Sequence, residues 1–299
     1  MSTRTANAAA VPAELIAACQ SLGLNTSGAT SLRQHATGVY LLPAAEAVAR
    51  VGRAETADQT ATSLAVVQWL AEQGFPVPEP LTCEPVPVAR GSVVTVWRYY
   101  PQNAPGQVTV SDLGALLRQL HQLDNSPVPL PAYQPLAELR SLLGSEAAAG
   151  LLTADREWLT RRAGEVVEAY HQLDSALGVG LVHGDAYPGN LMIGAGGVVM
   201  LGDWDEIARA PRELDLVNTY QGRRFGRTPA QLDAFSCAYG WDVRNWSGFS
   251  VLREMRDLHT LASFIRRAAT GHHSAAAAEF SHRIATLRTG DTTARWHAA

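Results

Sequence analysis

The sequence predicts an α+β protein with a smaller N-terminal part around an antiparallel sheet and a larger, mostly helical C-terminal part. Three observations support this. Strand-like runs rich in β-branched and aromatic residues fall in the first hundred residues, at Val39–Leu42, Ala47–Val51 and Val93–Trp97. From residue 111 onward, apolar residues recur at helical spacing. Within the helical part, two short apolar runs joined by glycines, at residues 191–201, predict a β-hairpin.

Composition limits the class of protein. The chain has 299 residues, of which 46% are hydrophobic and 17% charged, as in a globular protein of one large domain or two lobes. No apolar run approaches the roughly 20 residues of a membrane span, and residues 1–10 lack the apolar core of a signal peptide. We therefore expect a cytoplasmic protein without a membrane partner. The separated cysteines Cys19, Cys83 and Cys237 favour neither a zinc site nor a disulfide framework.

The charge pattern is also informative. The net charge of −4 gives no indication of nucleic acid as a partner. All 24 basic residues are arginine. Because there is no lysine, a Gly-Lys phosphate loop of the Walker type is excluded.

The N-terminal elements follow from local signals. Residues 12–22 predict a helix that has Pro12 in its first turn and ends at Gly23. Thr56-Ala-Asp-Gln59 is a capping-box pattern that predicts a helix from there to Gln73. The prolines of residues 75–80 predict an extended linker.

The C-terminal part is predicted to consist of helices separated by short connections. The first begins at Ser111, a favourable N-cap. The predicted helices cover residues 111–123, 135–149, 153–177, a segment opening at Pro211, 229–239, 249–270 and 274–288.

The most informative stretch is residues 181–205. Asp185 and Asn190 keep the spacing of the protein-kinase catalytic loop, in which His, Asp and Asn precede a metal-binding Asp. The predicted hairpin between Asn190 and Asp203 would return Asp203 to face Asn190. A proton acceptor and two oxygen ligands for a metal ion would then serve one phosphate.

His183-Gly-Asp185-Ala-Tyr-Pro-Gly-Asn190, followed by Asp203-Trp-Asp205, resembles the aminoglycoside phosphotransferase and choline kinase group of small-molecule kinases. The resemblance implies a bilobal, protein-kinase-like fold. Residues 1–100 would form the nucleotide-binding lobe, and residues 101–299 the catalytic and acceptor-binding lobe. It further implies Mg²⁺ as cofactor and ATP or GTP as phosphate donor.

The resemblance also implies roles in the catalytic segment. Asp185 would accept the proton of the acceptor hydroxyl, while Asn190 and Asp203 would bind Mg²⁺ through oxygen atoms. Asp205 is a weaker candidate for a further metal ligand. His183 would brace the loop through hydrogen bonds. The last of the supporting residues is Asp215, in a Pro-x-x-x-Asp-Leu element that buttresses the loop in the family.

On the donor side, the resemblance assigns the turn ending in Thr37-Gly38 to the nucleotide phosphates. Arg50 stands where kinases carry a strand lysine, and its guanidinium would hold phosphate oxygens in a bidentate manner. The hinge would begin beside Trp97 and Tyr99, which would flank the base.

The usual helix glutamate that pairs with the strand cation is not evident. Ser63 lies where relatives often carry it, while Glu55 and Asp58 lie earlier in the helix. Which of the three replaces it is open at this point.

Two functions remain in competition. The first is a Mg²⁺-dependent phosphotransferase acting on a hydroxyl of an antibiotic, a sugar or a related metabolite. The alternative is a degenerate kinase fold that binds nucleotide or ligand without turnover, favoured by the missing lysine and opposed by Asp185, Asn190 and Asp203. A hydrolase with a Gly-x-Ser-x-Gly elbow is excluded, and no helical pair of ligands suggests a metalloenzyme.

The acceptor region should follow the metal-binding Asp. From Gln221 to Ala299, 11 arginines outnumber 6 acids, which is the wrong sign for polycationic aminoglycosides. We therefore predict an acceptor that is neutral, weakly charged or partly anionic. The sequence assigns neither the identity of the acceptor nor the oligomeric state of the protein. The residues expected to form the region are Trp241, Asp242, Trp246, Phe249, Arg253 and Arg256.

Overall fold

The computed structural model describes residues 11–34, 38–102, 108–123, 126–269 and 274–297. The helices are α1 (Ala13–Ser21), α2 (Ala57–Glu72), α3 (Val110–His121), α4 (Ala137–Leu143), α5 (Thr153–His171), α6 (Glu213–Gln221), α7 (Pro229–Tyr239), α8 (Phe249–His259), α9 (Leu261–Ala269) and α10 (Ser274–Arg288). The strands are β1 (Thr30–Gln34), β2 (Gly38–Leu42), β3 (Ala47–Arg53), β4 (Val86–Val88), β5 (Ser92–Arg98), β6 (Val179–Val182), β7 (Leu191–Ile193), β8 (Val199–Leu201) and β9 (Ala208–Pro211).

The described chain divides into two compact units. Of the described residues, the first unit comprises 11–34, 38–102, 108, 126–130 and 190–206, and the second comprises the remaining segments. A five-stranded antiparallel sheet and the long helix α2 characterise the first unit, whereas helices dominate the second. The predicted α+β class with a sheet-containing N-terminal part and a helical C-terminal part is confirmed.

The sheet of the first unit has the strand order β1-β2-β3-β5-β4. Because side chains alternate across a strand, Ala47 and Ala49 of β3 face one side and Arg50 faces the other. The first side forms an apolar core with α1, in which Leu15 is fully buried. The second side carries Arg50, which is directly opposite Thr95 of β5. The sheet therefore provides one face for stability and one polar face for a site.

Two predicted helix caps are wrong. Thr56 makes no capping bond to α2, and its hydroxyl instead donates to the Arg53 carbonyl at 2.9 Å. Helix α3 is capped by Thr109 rather than Ser111, because it begins one residue earlier than the expected cap. That start places Asp112 three residues after Thr109, and the two side chains form a reciprocal capping box.

Three predicted helices are shorter or divided. The stretch 135–149 contains α4 and a separate turn, because the Ser145 hydroxyl accepts a bond from Ala147 N. Helix α5 ends at His171 instead of residue 177, since Leu177 N donates to Glu213 Oε1 rather than continuing the helix. The stretch 249–270 divides into α8 and α9 at Thr260.

The predicted hairpin is present as β7 and β8. Leu191 pairs with Leu201, and the turn is closed by Gly194 N donating to Val198 O at 2.8 Å. Gly196 and Gly197 adopt φ values of 68° and 82°, a region that glycine enters without steric cost. Within the described residues, no helix is long and apolar enough to cross a membrane.

Candidate active site

The hairpin of the first unit brings its two flanking polar residues to its open end. Gly202 N donates to Asn190 O at 2.9 Å. This bond holds the backbone of Asn190 next to Gly202, the residue that precedes Asp203. Asp203 has a φ of 63°, a left-handed conformation that is uncommon outside glycine and concentrates at functional sites. An amide oxygen and a partly exposed carboxylate are donors that fit a hard cation such as Mg²⁺, with phosphate oxygens completing its shell.

Arg50 is bound to both acids of the Asp203-Trp-Asp205 segment. Its Nη2 lies 3.1 Å from Asp203 Oδ1 and also contacts Asp205 Oδ2. Only 19% of the Arg50 side chain is exposed. Burial disfavours its charge, but the nearby carboxylates of Asp205 and Asp203 outweigh this and raise the pKa of the Arg50 guanidinium. The residue expected to hold phosphates is therefore paired with the expected metal ligand.

In the part of the chain that the structure describes, none of the three expected substitutes for the helix glutamate forms a hydrogen bond or ion pair with Arg50. Ser63 is buried and donates to Gln59 O at 3.0 Å, while exposed Glu55 lies 3.9 Å from Arg53. Among the described residues, Asp203 and Asp205 are the carboxylates within ion-pair distance of Arg50. Helix α2 is linked to them differently, because Gln59 Nε2 donates to Asp205 O at 2.6 Å.

A cavity of about 230 Å³ lies beside Arg50 inside the first unit. Its walls include Ser63 of α2 and Thr95 and Trp97 of β5. Trp97 Nε1 donates to Thr95 Oγ1 at 3.0 Å, which fixes the indole in this wall. The cavity therefore lies between Arg50 and Ser63, the position at which relatives often carry the glutamate.

The other residues assigned to the nucleotide lie near the ends of strands. Gly38 begins β2, where an added Cβ would come within 2.9 Å of the Tyr40 ring. Tyr99 follows β5, and its backbone N donates to Glu46 O at 2.9 Å. Thr37 lies outside the described residues.

In the second unit, the buried carboxylate of Asp215 binds the backbone just before Asp185. Asp215 of α6 is fully buried and accepts bonds from His183 N and Gly184 N, both at 2.8 Å. It also lies 3.1 Å from His121 Nε2, whose other ring nitrogen is 2.9 Å from Tyr239 Oη. Charge-assisted bonds to several donors make this a strong attachment of the loop to α6 and α3.

Asp185 is oriented by two residues of the same unit. Its Oδ1 accepts from Arg256 Nη2 of α8 at 2.5 Å, and Asn218 Nδ2 of α6 lies 3.5 Å away. The buried His183 ring accepts from Asp185 N at 3.3 Å through Nδ1. Sequence reasoning missed Asn218. The signal was available, because Asn218 follows Asp215 by three residues and so shares its face of α6.

The residues expected around the acceptor separate into different environments. Trp246 is buried and donates from Nε1 to Asp174 O at 3.0 Å, so it belongs to the core rather than to an open wall. Trp241 is half-buried. Asp242 pairs with Arg244 and accepts from Tyr220 Oη at 3.3 Å. Burial, with Asp242 nearby, raises the pKa of Tyr220 to about 12.

Arg253 and Arg256 share one face of α8 with Phe249. They lie three residues apart on α8, with the Arg253 guanidinium 5.4 Å from the Phe249 ring centre. Arg256 alone of the predicted acceptor residues is bonded to the side chain of the proposed proton acceptor.

Comparison with known proteins identifies the relatives of this arrangement. A family model described as "Phosphotransferase enzyme family" matches residues 23–254, which is well over half of the chain. No protein with a curated description matches the sequence significantly.

Solved structures share the fold at low sequence identity. An amicoumacin kinase in complex with AMP-PNP, Ca²⁺ and "Ami" superposes with a TM-score of 0.70 at 14% identity, covering 96% of each chain. A choline/ethanolamine kinase family protein from Mesorhizobium loti gives a TM-score of 0.62 at 18% identity, covering 92% of this chain and 94% of that one. A spectinomycin phosphotransferase with ADP and spectinomycin gives 0.59 at 14% identity, covering 94% of both.

Proposed function

Because the chain belongs to the phosphotransferase enzyme family, we propose that it transfers the γ-phosphate of ATP or GTP, with Mg²⁺, to a hydroxyl of a small molecule. The acceptor would be an antibiotic, a sugar or a related metabolite. The observation that carries the proposal is the 2.9 Å bond between Gly202 N and Asn190 O. It holds Asn190 and Asp203 at one end of the hairpin, and Asp185 precedes Asn190 by five residues.

On the donor side, the proposal assigns nucleotide binding to residues 1–100. Asn190 and Asp203 would hold Mg²⁺, which when bound neutralises phosphate charge. Arg50 would hold phosphate oxygens, for which it must exchange its contact with Asp203. Support comes from relatives of the same fold that were crystallised with AMP-PNP and Ca²⁺ or with ADP.

On the acceptor side, the proposal assigns catalysis and acceptor binding to residues 101–299. Asp185 would accept the proton from the acceptor hydroxyl and orient that oxygen toward the phosphate. Arg256 and Asn218 both lie within hydrogen-bond distance of Oδ1 of Asp185, and they would orient the carboxylate toward the acceptor. Asp215 maintains the backbone at His183 and Gly184, so that the carboxylate is presented from a fixed loop.

The competing function is nucleotide or ligand binding without turnover. Two features favour it: the chain has no lysine, and α2 supplies no carboxylate to Arg50. The contacts of Arg50 weaken that argument. Asp203 and Asp205 already provide the anionic partners that keep the guanidinium charged and ordered.

The test is conversion of nucleotide triphosphate to diphosphate with Mg²⁺ across a panel of hydroxyl compounds, with the phosphorylated product detected by mass spectrometry. ATP and GTP are compared directly. We expect acceptor-dependent turnover that disappears in Asp185→Asn. Tight Mg·ATP binding without product for any acceptor class would instead support the binding protein.

A further inference from the structure

One face of α8 connects the proposed proton acceptor with an arginine of different character. Phe249, Arg253 and Arg256 are spaced four and three residues apart, so their side chains project from one face of the helix. Arg256 is bonded to Asp185. Arg253 therefore lies one helical turn from the residue that contacts the proposed base.

Arg253 differs from the arginines around it. Among the described residues, no carboxylate lies within ion-pair distance of its half-buried guanidinium, and its close neighbour is the Phe249 ring. The two acids whose charges act on Arg253 are paired with other arginines. Asp257 lies 2.7 Å from Arg224, and Glu254 lies 2.5 Å from Arg162. Burial lowers the pKa of Arg253, and the charges of Asp257 and Glu254 offset this effect only in part.

Two cavities of the second unit meet at this arginine. The smaller, of about 140 Å³, has Tyr220 and Phe249 in its wall. The larger, of about 500 Å³, extends along α5 to Gly290. Both include Arg253. The charged residues of the smaller cavity are Arg223, Arg224, Arg244, Arg253 and Asp257. Arg224 pairs with Asp257, and Arg244 pairs with Asp233 and Asp242, so the excess of positive charge comes from Arg223 and Arg253.

We propose that these cavities bind an anionic group of the acceptor, a carboxylate or a phosphate ester, with Arg253 as its direct partner. This inference rests on the proposed function and narrows its substrate class. A guanidinium binds either anion through two parallel hydrogen bonds, and a half-buried one gains more from them than a surface arginine. Tyr220 and Phe249 provide an apolar wall for the part of the acceptor next to the anion. A polycationic acceptor would be repelled.

The first experiment measures binding without nucleotide, so that it does not depend on catalysis. Benzoate and its neutral analogue benzamide are titrated into the full chain by ligand-observed NMR at low and high salt. We expect benzoate to bind more tightly than benzamide, with affinity that falls as salt rises. Arg253→Gln should weaken benzoate at least about tenfold and leave benzamide unchanged, because a charged hydrogen bond is lost.

The matched control is Arg161→Gln, which removes an exposed arginine of the larger cavity that lies 3.7 Å from Glu165. Benzoate binding should change by less than about twofold in this variant, in keeping with the small effect of exposed ion pairs. Arg253→Lys keeps the charge without the bidentate geometry and should give an intermediate affinity. Equal benzoate binding by wild type and Arg253→Gln, or no benzoate binding at all, overturns the proposal. Melting temperatures of all variants show whether each is folded.

The second experiment tests whether the bound anionic group is part of the acceptor. Matched pairs of hydroxyl compounds, such as glucuronate and glucose or hydroxy acids and their amides, are compared by kcat/KM. The anionic member should be preferred, and Arg253→Gln should raise its KM while leaving kcat nearly unchanged. Preference for neutral or cationic members overturns the assignment. If no compound is turned over but benzoate binding still depends on Arg253, the proposed kinase function is refuted and the anion-binding site is retained.

Discussion

Arg256 Nη2 lies 2.5 Å from Asp185 Oδ1, and this contact joins α8 to the catalytic segment within the second unit. Both side chains are largely buried, at 16% and 29% exposure. An ion pair of this kind fixes the orientation of the carboxylate as well as its charge. Among the described residues, the buried Nε of Arg256 has no hydrogen-bond partner. Asp185 is the carboxylate with which this guanidinium pairs.

Asp185→Asn should abolish turnover while leaving nucleotide affinity nearly unchanged. Asparagine keeps an oxygen for Arg256 but cannot accept the acceptor proton, and general-base contributions are typically about 10²–10⁴-fold in rate. Single-turnover rates and calorimetric nucleotide affinities measure the two effects separately. Retention of more than about a tenth of the wild-type kcat would exclude Asp185 as the base.

Asp203→Ala should lose the Mg²⁺-dependent part of nucleotide binding, because its carboxylate would be a direct ligand of the ion. Asp205→Ala is the matched comparison and should lose less of this binding, since Asp205 is the weaker candidate ligand, also contacts Arg50 and is more exposed, at 55%. Titrations of ATP with and without Mg²⁺ compare the two variants. The ligand assignment fails if Asp203→Ala binds Mg·ATP as tightly as wild type does.

Ser63→Glu should restore a helix carboxylate for Arg50, because both residues line the cavity of about 230 Å³. A buried glutamate is costly unless it is paired, so it should draw Arg50 away from Asp203. We expect a lower KM for Mg·ATP than in the neutral control Ser63→Gln. Equal KM values in the two variants would show that Arg50 keeps its contact with Asp203.

Asp215→Asn should destabilise the protein by roughly 2–3 kcal/mol, because the amide of the variant places a donor group where the carboxylate receives backbone bonds from His183 and Gly184. Asp233→Asn is the control, since its ion pair with Arg244 is exposed and contributes little. Urea denaturation gives both changes in the free energy of unfolding. A loss no larger than that of the control would contradict a bracing role.

Stability should rise with pH between about 3 and 6.5 through His259. Desolvation, with the neighbouring charge of Arg256, lowers the pKa of His259 from 6.5 to about 3. Below pH 6.5 the unfolded chain gains a proton that the folded chain does not bind, so the stabilising contribution is present above this pH and is lost as the pH falls. His259→Asn should flatten the pH dependence of the melting temperature across this range. Superimposable profiles for the two proteins would rule His259 out as its source.

Much of the architecture follows from short-range signals. The hairpin is specified locally, because two apolar runs and intervening glycines are enough to define its strands and turn. The register then sets Asn190 and Asp203 at its open end. Helix ends were less predictable: Ser145 and Glu213 capture backbone groups that a continuing helix would otherwise use, and Glu213 is 36 residues away from Leu177.

By itself, the sequence determined the kinase-like motif, the fold class and the absence of lysine, since these depend on residue identity and spacing along the chain. Only the tertiary structure decided which charges meet. Arg50 finds Asp203 and Asp205 more than 150 residues away, and Arg256 finds Asp185 at a separation of 71. An arginine has the same identity in the sequence whether it faces solvent, a carboxylate or an empty cavity. Its partner is set by the packing of strands and helices that are distant in the chain, which is why Arg253 could be placed in a region from sequence but given a ligand only from the fold.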